Sequence, residues 1–329
     1  MLLNFSRKPH DVLSKTQLKY RKAFLNDLPK YNFLKKNCLC GEVKRDLVCN
    51  VDRHAVNINF CLCKGCGIIY QSSYPDNKSI QMFYNEIQKG LYVGNEFASN
   101  EYFSFQQRRG KNLYDKWKLV TSLKKFNSIL DIGCGAGGIL YEFHSFKKQF
   151  GCDFNKNYIK FGLTKKLDLN HGDYKKYTNR KFDLILLIQV FEHFPDPVNE
   201  LNKILKMQKI GGEIIIDIPS IESIGKVYGT PKKYFQFAHP FNYSTVHLST
   251  ILSNFGYREI FKEMNGLMIF KKIKIINQNK KVLNNLRKPS NYKNIKELLL
   301  KANFNYKYFI SRRRFIDICK NYLKKYHLK

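Results

Sequence analysis

The stretch Ile129-Leu130-Asp131-Ile132-Gly133-Cys134-Gly135-Ala136-Gly137-Gly138 decides how this chain folds. Its apolar start predicts a short buried strand, its glycines predict a turn, and a helix is expected to begin near Gly137. Glycine lets the backbone turn sharply and lets a ligand approach with no Cβ in the way. Because the free N–H groups at the start of the helix face the same place, the stretch predicts a ligand site.

Two glycine patterns fit this stretch. One is an acid followed by glycines at alternate positions, over residues 131–137, and the other is the dinucleotide fingerprint G-x-G-x-x-G, over residues 133–138. Both expect a second acid about twenty residues further on. Asp153, at the end of the predicted strand 149–153, serves either pattern and is a candidate to bind ribose hydroxyls. The glycines alone therefore leave the ligand open.

The chain from residue 128 to residue 275 alternates between strand and helix patterns. The predicted strands are 128–132, 148–153, 166–170, 182–189, 212–218, 257–264 and 267–275, and the predicted helices are 137–146, 155–164, 197–208 and 244–255. Such alternation predicts an α/β fold, a parallel sheet with helices on both faces. Asn265-Gly266 predicts a tight hairpin between the last two strands, so the seventh strand is expected to run antiparallel at the end of the sheet. An ordinary dinucleotide-binding fold does not finish in this way.

Motifs after the third and fourth strands decide between the two glycine patterns. Asp173-Tyr174 follows the third predicted strand, and Val190-Phe191-Glu192-His193-Phe194-Pro195-Asp196-Pro197 follows the fourth. With the glycine turn and the hairpin, these motifs resemble the class I S-adenosylmethionine (SAM) methyltransferases over residues 128–275. The resemblance implies a Rossmann-like seven-stranded sheet whose last strand is antiparallel, with SAM bound at the carboxyl ends of the strands.

The same resemblance implies roles for the cofactor-binding residues. It implies that the glycine turn passes against the amino-acid half of SAM, that Asp173 takes the adenine amino group and that Tyr174 packs on the adenine ring. Arg109 is a candidate to meet the SAM carboxylate. The expected cofactor-binding residues are Asp131, Gly133, Gly135, Gly137, Asp153, Asp173, Tyr174 and Gln189.

Cysteines are concentrated near the N-terminus, where six of the nine fall between Cys38 and Cys66. A chain without a secretory signal does not favour a disulfide framework. Two cysteines at C-x-x-C spacing grip one tetrahedral ion, and a glycine just after them relaxes the turn. The predicted ligands of a structural zinc ion are Cys38, Cys40, Cys63 and Cys66, with Cys49, Cys61 and His54 as spare candidates because the first pair is one residue short of C-x-x-C.

Further motifs extend the resemblance to a bacterial subgroup of methyltransferases with an N-terminal cysteine module. These motifs are Cys40-Gly41, residues 63–70, residues 91–96 and His239-Pro240-Phe241-Asn242-Tyr243-Ser244. The subgroup occurs in surface-polysaccharide and lipopolysaccharide synthesis, so the resemblance implies a sugar hydroxyl on a glycan, nucleotide-sugar or lipid-linked acceptor. The alternatives are an RNA methyltransferase, a small-molecule methyltransferase and a non-enzymatic interaction protein.

A hydroxyl acceptor needs a general base, which is worth about 10²–10⁴-fold in rate. His239 and His193 are the candidates because histidine titrates near working pH. His239 is favoured as base or acceptor contact, since it lies between the fifth strand and the following helix, whereas His193 also fits a role in holding its loop. Glu192 is a candidate to orient either imidazole.

The sequence divides into five predicted segments. They are a basic N-terminal segment (1–36, with a helix near 13–25), a zinc-knuckle module (37–75), an aromatic-rich helical linker or lid (76–125, helical over 103–123), the methyltransferase domain (126–276) and a basic helical tail (277–329).

The formal charge of +32 is uneven along the chain. Residues 271–329 hold 14 Lys and 4 Arg against one Glu and one Asp, a net charge of +16. Compositional bias or an anionic partner (a membrane surface, a phosphorylated glycan or nucleic acid) explains this excess. The tail predicts helices at 295–300 and 309–326, either docked as a pair or holding the enzyme near an anionic membrane surface.

With no apolar run of about 18 residues and no signal-peptide pattern, a cytoplasmic protein is expected, with the inner face of the membrane as a possible site.

Overall fold

The computed structural model describes residues 1–94, 97–276 and 283–325, with side chains as far as residue 308. The strands are β1 (Phe33–Lys35), β2 (Arg45–Val51), β3 (Asn57–Cys63), β4 (Ile69–Gln71), β5 (Ser73–Pro75), β6 (Ser128–Ile132), β7 (Lys148–Asp153), β8 (Leu169–His171), β9 (Phe182–Ile188), β10 (Gln208–Asp217), β11 (Phe241–Asn242), β12 (Tyr257–Lys262) and β13 (Leu267–Lys272). The α-helices are α1 (Lys15–Asp27), α2 (Asn77–Met82), α3 (Asn100–Val120), α4 (Gly138–Tyr141), α5 (Lys156–Leu163), α6 (Pro197–Met207), α7 (Pro231–Tyr234), α8 (Thr245–Asn254) and α9 (Pro289–Lys325).

Seven strands form the main sheet in the order β12-β13-β10-β9-β6-β7-β8. The five strands from β10 to β8 pair in parallel, and β13 pairs antiparallel with both of its neighbours. This confirms the predicted α/β sheet with an antiparallel last strand. The hairpin turn lets β13 fold back inside β12, so β13 lies one place in from the edge.

The central strand β9 is buried along its whole length because helices cover both faces of the sheet. Alternate side chains enter different cores: Ile185 and Leu187 pack on one side, and Leu184 and Leu186 on the other. Fully burying one such side chain is worth about 1.5–3 kcal/mol. The continuous apolar run of β9 therefore packs against the helix layers on both faces of the sheet.

Several predicted elements of the methyltransferase domain differ from the structure at their ends, and the largest differences are in the third strand, in the fifth strand, which already begins at Gln208, and in the first helix. The third strand was expected over 166–170, but Lys166 has a φ of +61°, which turns the chain before β8 begins. The helix expected over 137–146 is α-helical only in α4. Beyond it the N–H groups of Phe143 and Phe146 bond to carbonyls three residues back, which tightens the chain into turns.

A second sheet carries the cysteines and runs in the order β11-β4-β3-β2. Its edge strand β11 comes from the segment between β10 and α8, where Phe241 pairs with Tyr70. The N-terminal sheet is therefore completed by a strand that follows the candidate residue His239.

Helix α3 lies directly on the glycine loop. Ser99 caps its first turn by accepting the N–H of Tyr102. The helix approaches α4 so closely that a Cβ on Gly110 would lie 2.8 Å from the Cα of Ile139. Glycine at position 110 thus permits the contact that brings α3 over the loop.

Residues 289–325 of the basic tail form one continuous helix, α9, whereas the sequence predicts two separate helices, of which the second ends at residue 326, outside the described residues. No proline or glycine separates residues 300 and 309, so the backbone has no reason to break there. Ile295, Leu299 and Ala302 are buried against the rest of the protein, and the Tyr292 hydroxyl donates to Asp46 at 2.6 Å. The first part of the tail is therefore docked.

Some of the sequence-based expectations fall on residues 95–96 and 277–282, which lie outside the described residues. Within the described part of the chain, no helix combines the length and the apolar character needed to cross a membrane.

Candidate functional site

The glycine loop follows β6 in the chain and contacts the end of β7. Gly133, Gly135 and Gly137 have φ angles of +74°, +59° and +82°, a region that residues with a Cβ rarely adopt. The N–H of Gly135 donates to Asp153 Oδ2 at 2.9 Å. The loop that carries the predicted glycines is therefore tied to the predicted ribose-binding acid.

Asp131 lies buried beneath this loop with 2% of its surface exposed. Its Oδ2 atom has no hydrogen-bond partner among the described residues. Burial, followed by the negative charge of Asp153, raises the pKa of Asp131 well above its usual range. A buried carboxyl oxygen without a partner beside a glycine loop fits a ligand that brings hydrogen-bond donors or positive charge, as the ammonium group of SAM does.

One face of α3 completes the loop from above. Gln106 donates from Nε2 to the carbonyl oxygen of Cys134 at 3.1 Å and accepts the N–H of Gly138 at 3.3 Å. Tyr102 and Arg109 flank Gln106 on the same helical face. The sequence analysis named only Arg109 here; spacing by one helical turn is the signal that would have found the other two.

Aromatic and basic side chains cover the Gly135 end of the loop. A Cβ on Gly135 would lie 2.8 Å from Gln106 Nε2 and 3.2 Å from the Tyr102 hydroxyl. The Tyr102 ring centre is 4.8 Å from that of Tyr158, and Lys89 Nζ is 4.8 Å from the Tyr158 ring centre. Residues of the predicted linker or lid thus reach the crevice, and the sequence analysis did not single out Lys89 or Tyr158.

Arg109 has a protein partner at the edge of the crevice. Its Nη2 lies 2.9 Å from Asp217 Oδ2, at the end of β10. The main chain of Gln189, which has a φ of +59°, donates to the Asp217 carbonyl oxygen at 2.7 Å. These contacts bring Gln189 and Arg109 to the same strand ends as the glycine loop.

The residues predicted to bind adenine follow β8. Asp173 caps the short turn 174–177 by accepting the N–H of Lys175 and pairs with the Lys175 ammonium at 2.8 Å. Tyr174 is buried in the core, and its hydroxyl donates to Glu200. The structure thus gives Tyr174 a packing role, and contact between its ring and adenine stays a prediction.

Buried Glu192 and His239 come together with half-buried His193 in one group, here called the histidine cluster. One potential ligand atom from each lies within 4.8 Å of those of the others. The two imidazole ring centres are 4.8 Å apart at 81°. His193 Nδ1 lies 2.8 Å from the hydroxyl of Tyr84 and 3.0 Å from the carbonyl oxygen of Ala238. The three residues predicted for the acceptor side are therefore adjacent, and Tyr84 joins them.

Burial controls the charge of the histidine cluster. It lowers the pKa of His193 to about 4, and burial followed by the nearby His193 lowers that of His239 well below its usual range. Burial also raises the pKa of Glu192 well above its usual range. Both imidazoles are therefore neutral near pH 7 and keep a free nitrogen lone pair.

The loop that carries His239 is held by Gln71 at the end of β4. Gln71 Nε2 donates to the carbonyl oxygens of Gln236, Phe237 and His239 at 3.2, 2.8 and 2.9 Å. The Gln71 main chain donates to the Pro240 carbonyl at 2.9 Å. The sheet that carries the cysteines therefore positions His239, and no local sequence pattern marks Gln71.

Four thiols form a second group, the cysteine cluster. Its members are the four predicted zinc ligands Cys38, Cys40, Cys63 and Cys66. Sulfur–sulfur distances are 3.4 Å (Cys38 to Cys66), 3.5 Å (Cys40 to Cys63) and 3.7 Å (Cys38 to Cys40). A tetrahedral site with Zn–S bonds of about 2.3 Å has sulfur atoms about 3.8 Å apart, so the donor set fits zinc.

The spare candidates Cys49, Cys61 and His54 are not members of the cysteine cluster. All three are buried, and no metal-ligand group in the described part of the chain contains them.

A cavity of about 310 Å³ opens beside the crevice, between α3 and the β12–β13 hairpin. Its wall includes Arg109 and Asp217, together with Ile188 at the end of β9. Of the residues predicted on the cofactor side, only Arg109, the candidate to meet the SAM carboxylate, lines this cavity. The cavity therefore adjoins the predicted SAM crevice at the strand ends without being part of it.

Comparison with known proteins identifies the central region. Residues 123–263 match a family model described as a methyltransferase domain. Two curated relatives are tRNA U34 carboxymethyltransferases. The protein from Sulfurovum sp. is 29% identical over 154 residues, covering 43% of this chain and 50% of the relative. That from Nautilia profundicola is 26% identical over 135 residues, covering 36% and 44%. The chain thus spans half or less of the length of these relatives.

Among solved structures, the N-methyltransferase NodS from Bradyrhizobium japonicum, in complex with S-adenosyl-L-homocysteine, is similar to this chain. It has 17% sequence identity and a TM-score of 0.41, and the similarity covers 55% of this chain and 97% of NodS. With the seven-stranded sheet and the glycine loop at its strand ends, the family match confirms the predicted enzyme class. The chain therefore contains a class I methyltransferase domain.

Proposed function

We propose that this protein transfers a methyl group from SAM and binds SAM along the carboxyl ends of β6, β7 and β8. The observation that carries the proposal is the buried, unpartnered Oδ2 atom of Asp131 beneath three glycines with left-handed backbone, within a methyltransferase domain. In this proposal Asp131 faces the amino-acid half of SAM, Asp153 binds the ribose, and Asp173 takes the adenine amino group. Gln189 closes the same crevice.

Bound SAM supplies an electrophilic methyl group: an acceptor lone pair forms the new bond to the methyl carbon while the carbon–sulfur bond breaks and its electrons pass to sulfur. The protein has to align the acceptor with that carbon, and alignment carries much of the rate. The acceptor also loses a proton. We assign the handling of the acceptor and its proton to the histidine cluster, with His239 as base or acceptor contact and Glu192 and His193 beside it.

The acceptor that we propose is RNA. The relatives that match the methyltransferase domain are named as enzymes of tRNA, and a formal charge of +32 favours a polyanionic partner. The glycan hydroxyl expected from the sequence motifs has no support among these relatives. Methylation of a glycan hydroxyl remains the second hypothesis. It includes the proposal that the basic tail approaches an anionic membrane surface.

Cofactor binding is tested by calorimetry on the full chain. SAM and S-adenosyl-L-homocysteine should bind, and Asp153→Ala should weaken both at least tenfold because it removes the ribose contact and the tie to Gly135. Binding of NADH without binding of SAM would overturn the proposal.

The acceptor is tested with material from a deletion strain. RNA and surface glycans are prepared from that strain and incubated separately with the enzyme and SAM carrying an isotopically labelled methyl group. Label in RNA supports the RNA proposal, and label only in glycan overturns it in favour of the second hypothesis. Mass spectrometry of the labelled product checks that the increment is one methyl group.

We also propose that the cysteine cluster binds one structural zinc ion. The proximity of the four sulfur atoms supports this assignment. Four thiolates fill a tetrahedral site, so the ion would stabilise the N-terminal sheet without meeting substrate. Elemental analysis of purified protein tests the proposal, with Cys63→Ser expected to lose the ion.

A further inference from the structure

The histidine cluster contains more buried polar atoms without hydrogen-bond partners than is usual in a folded protein. Glu192 is 1% exposed, and neither of its carboxylate oxygens has a partner among the described residues. His239 is 3% exposed, and its Nδ1 also has no partner in that part of the chain. An unsatisfied buried polar group costs about 1–3 kcal/mol, and a charged group costs more. Three such atoms in one place indicate that the cluster is completed by something that binds there.

The hydrogen bonds of His193 fix which of its nitrogens is free. A carbonyl oxygen only accepts, so the nitrogen that lies 3.0 Å from the Ala238 carbonyl, Nδ1, carries the proton. The Tyr84 hydroxyl, 2.8 Å from the same nitrogen, then accepts as well. His193 Nε2 is left with a lone pair. Donation of one imidazole N–H to a backbone carbonyl is the arrangement that orients metal-binding histidines.

We propose that Glu192, His193 and His239 bind one divalent first-row transition-metal ion. Two imidazoles and one carboxylate are a donor set that such ions accept, and three protein ligands leave a coordination position open. With metal–ligand bonds of about 2.1 Å, ligand atoms of a tetrahedral site lie about 3.4 Å apart. The potential ligand atoms here are within 4.8 Å of one another, so small side-chain rotations complete the site.

This site differs in kind from the cysteine cluster. Four thiolates close a site and favour a structural role, whereas an open position is typical of a catalytic ion. Its use in catalysis rests on the proposed function: an acceptor oxygen bound at the open position would lose its proton more easily, and that proton would leave to water before attack on the methyl carbon. The imidazoles then act as ligands, and His239 contacts the acceptor through the ion.

Cobalt titration of the full chain tests the site. Metal-free protein is prepared with a chelator, and Co²⁺ is added while absorption is recorded. The expected result is two equivalents with different spectra: one with thiolate-to-cobalt absorption in the near ultraviolet, and one with only weak visible bands from nitrogen and oxygen ligands. If the wild-type protein binds only the one equivalent of Co²⁺ that shows thiolate absorption, the proposal is overturned, and no variant is needed to show this.

Variants assign the two equivalents. Glu192→Gln and His239→Ala should lose the visible-band equivalent and keep the thiolate one, and Cys63→Ser should do the reverse. His144→Ala, which removes an exposed imidazole, is the control and should keep both. Circular dichroism shows whether each variant is folded. Retention of both equivalents by folded Glu192→Gln and His239→Ala would contradict the assignment.

Calorimetry with SAM separates this inference from the proposed function. Glu192→Gln protein with its cysteine-cluster ion in place should still bind SAM, because none of the proposed cofactor residues is a ligand of the second ion. If the second equivalent of cobalt binds but SAM does not, the metal site stands and the methyltransferase proposal fails. If SAM binds and the second equivalent does not, the metal proposal fails alone.

Discussion

The cysteine cluster and the histidine cluster are both buried groups of potential metal ligands, but the chain builds them in opposite ways. The four cysteines come from two short segments, and their sulfur atoms already contact one another. The histidine cluster combines a turn after β9 with a loop before β11, 46 positions later in the chain. Spacing in the sequence therefore reveals the first cluster, and only the packing of separate elements reveals the second.

The two clusters are also physically connected. Strand β11 joins the sheet that carries the cysteines, and Gln71 of that sheet holds the His239 loop. In α8, which follows β11 in the chain, His247 Nε2 donates to the Cys66 carbonyl oxygen at 2.8 Å. The cysteine cluster, whose members are close in sequence, therefore lies on the same sheet that holds one loop of the histidine cluster, whose members are far apart in sequence.

Loss of one cysteine ligand should have the largest effect on stability. Cys63→Ser removes a thiolate from the proposed zinc site, and because metal binding contributes directly to folding, the free energy of unfolding should fall by at least about 4–5 kcal/mol. Urea unfolding, followed with metal analysis, measures this. Cys61→Ser replaces a buried thiol outside the cluster and should cost only about 1–3 kcal/mol, with zinc retained. Equal losses in the two variants would contradict a difference between ligand and non-ligand cysteines.

His239→Gln should have the largest effect on the reaction. Removing the group that contacts the acceptor, directly or through an ion, should lower kcat by roughly 10²–10⁴. The Kd for SAM should stay within experimental error, since the glycine loop is untouched. His144→Gln is the matched exposed control and should leave both values unchanged. A parallel rise in the Kd for SAM would instead assign His239 to the cofactor side.

Gln71→Met tests the connection between the two clusters. The change keeps the size of the side chain but removes the amide that donates to three carbonyls, so stability should fall by about 1–3 kcal/mol and kcat should fall with it. Gln149→Met is a matched control, because Gln149 Nε2 donates to the Leu140 carbonyl far from β11. Its stability should fall less and its kcat should not change. If both variants keep full kcat, the N-terminal sheet does not position His239.

His54, a buried histidine outside both clusters, is expected to have the smallest effect near pH 7, because its effect on stability appears only at lower pH. Burial, followed by the charges of Arg53 and Arg21, lowers its pKa to about 3. The unfolded chain therefore binds this proton near pH 6.5 while the folded protein does not, so stability falls as the pH drops from about 6.5 towards 3. His54 contributes about 1.4 kcal/mol per pH unit to this slope, and His54→Gln should reduce the slope by that amount. Urea unfolding at several pH values, with metal-free protein, measures the difference; identical slopes in both proteins would refute it.

Much of the methyltransferase domain could be predicted because its signals are local. The glycine turn, the apolar run of β9 and the Asn-Gly hairpin each restrict the backbone over a few residues, and the structure has the corresponding strands within a few residues of the expected positions. The grouping of Cys38, Cys40, Cys63 and Cys66 follows from spacing in the same way. The N-terminal half of the tail shows the limit of local signals. Its helical character is visible in the sequence, but its docking through Ile295 and Leu299 depends on a surface formed elsewhere.

The sequence by itself determined the α/β sheet, the glycine loop over Asp131 and the grouping of four cysteines, because short-range sterics and ligand spacing fix these features. Only the tertiary structure decided that Gln106 and Tyr102 cover the loop, that β11 completes the N-terminal sheet and that Glu192, His193 and His239 share one buried volume. The physical reason is that burial and hydrogen-bond satisfaction are properties of the packed molecule. A carboxylate lacks a partner only once every neighbouring element has taken its place.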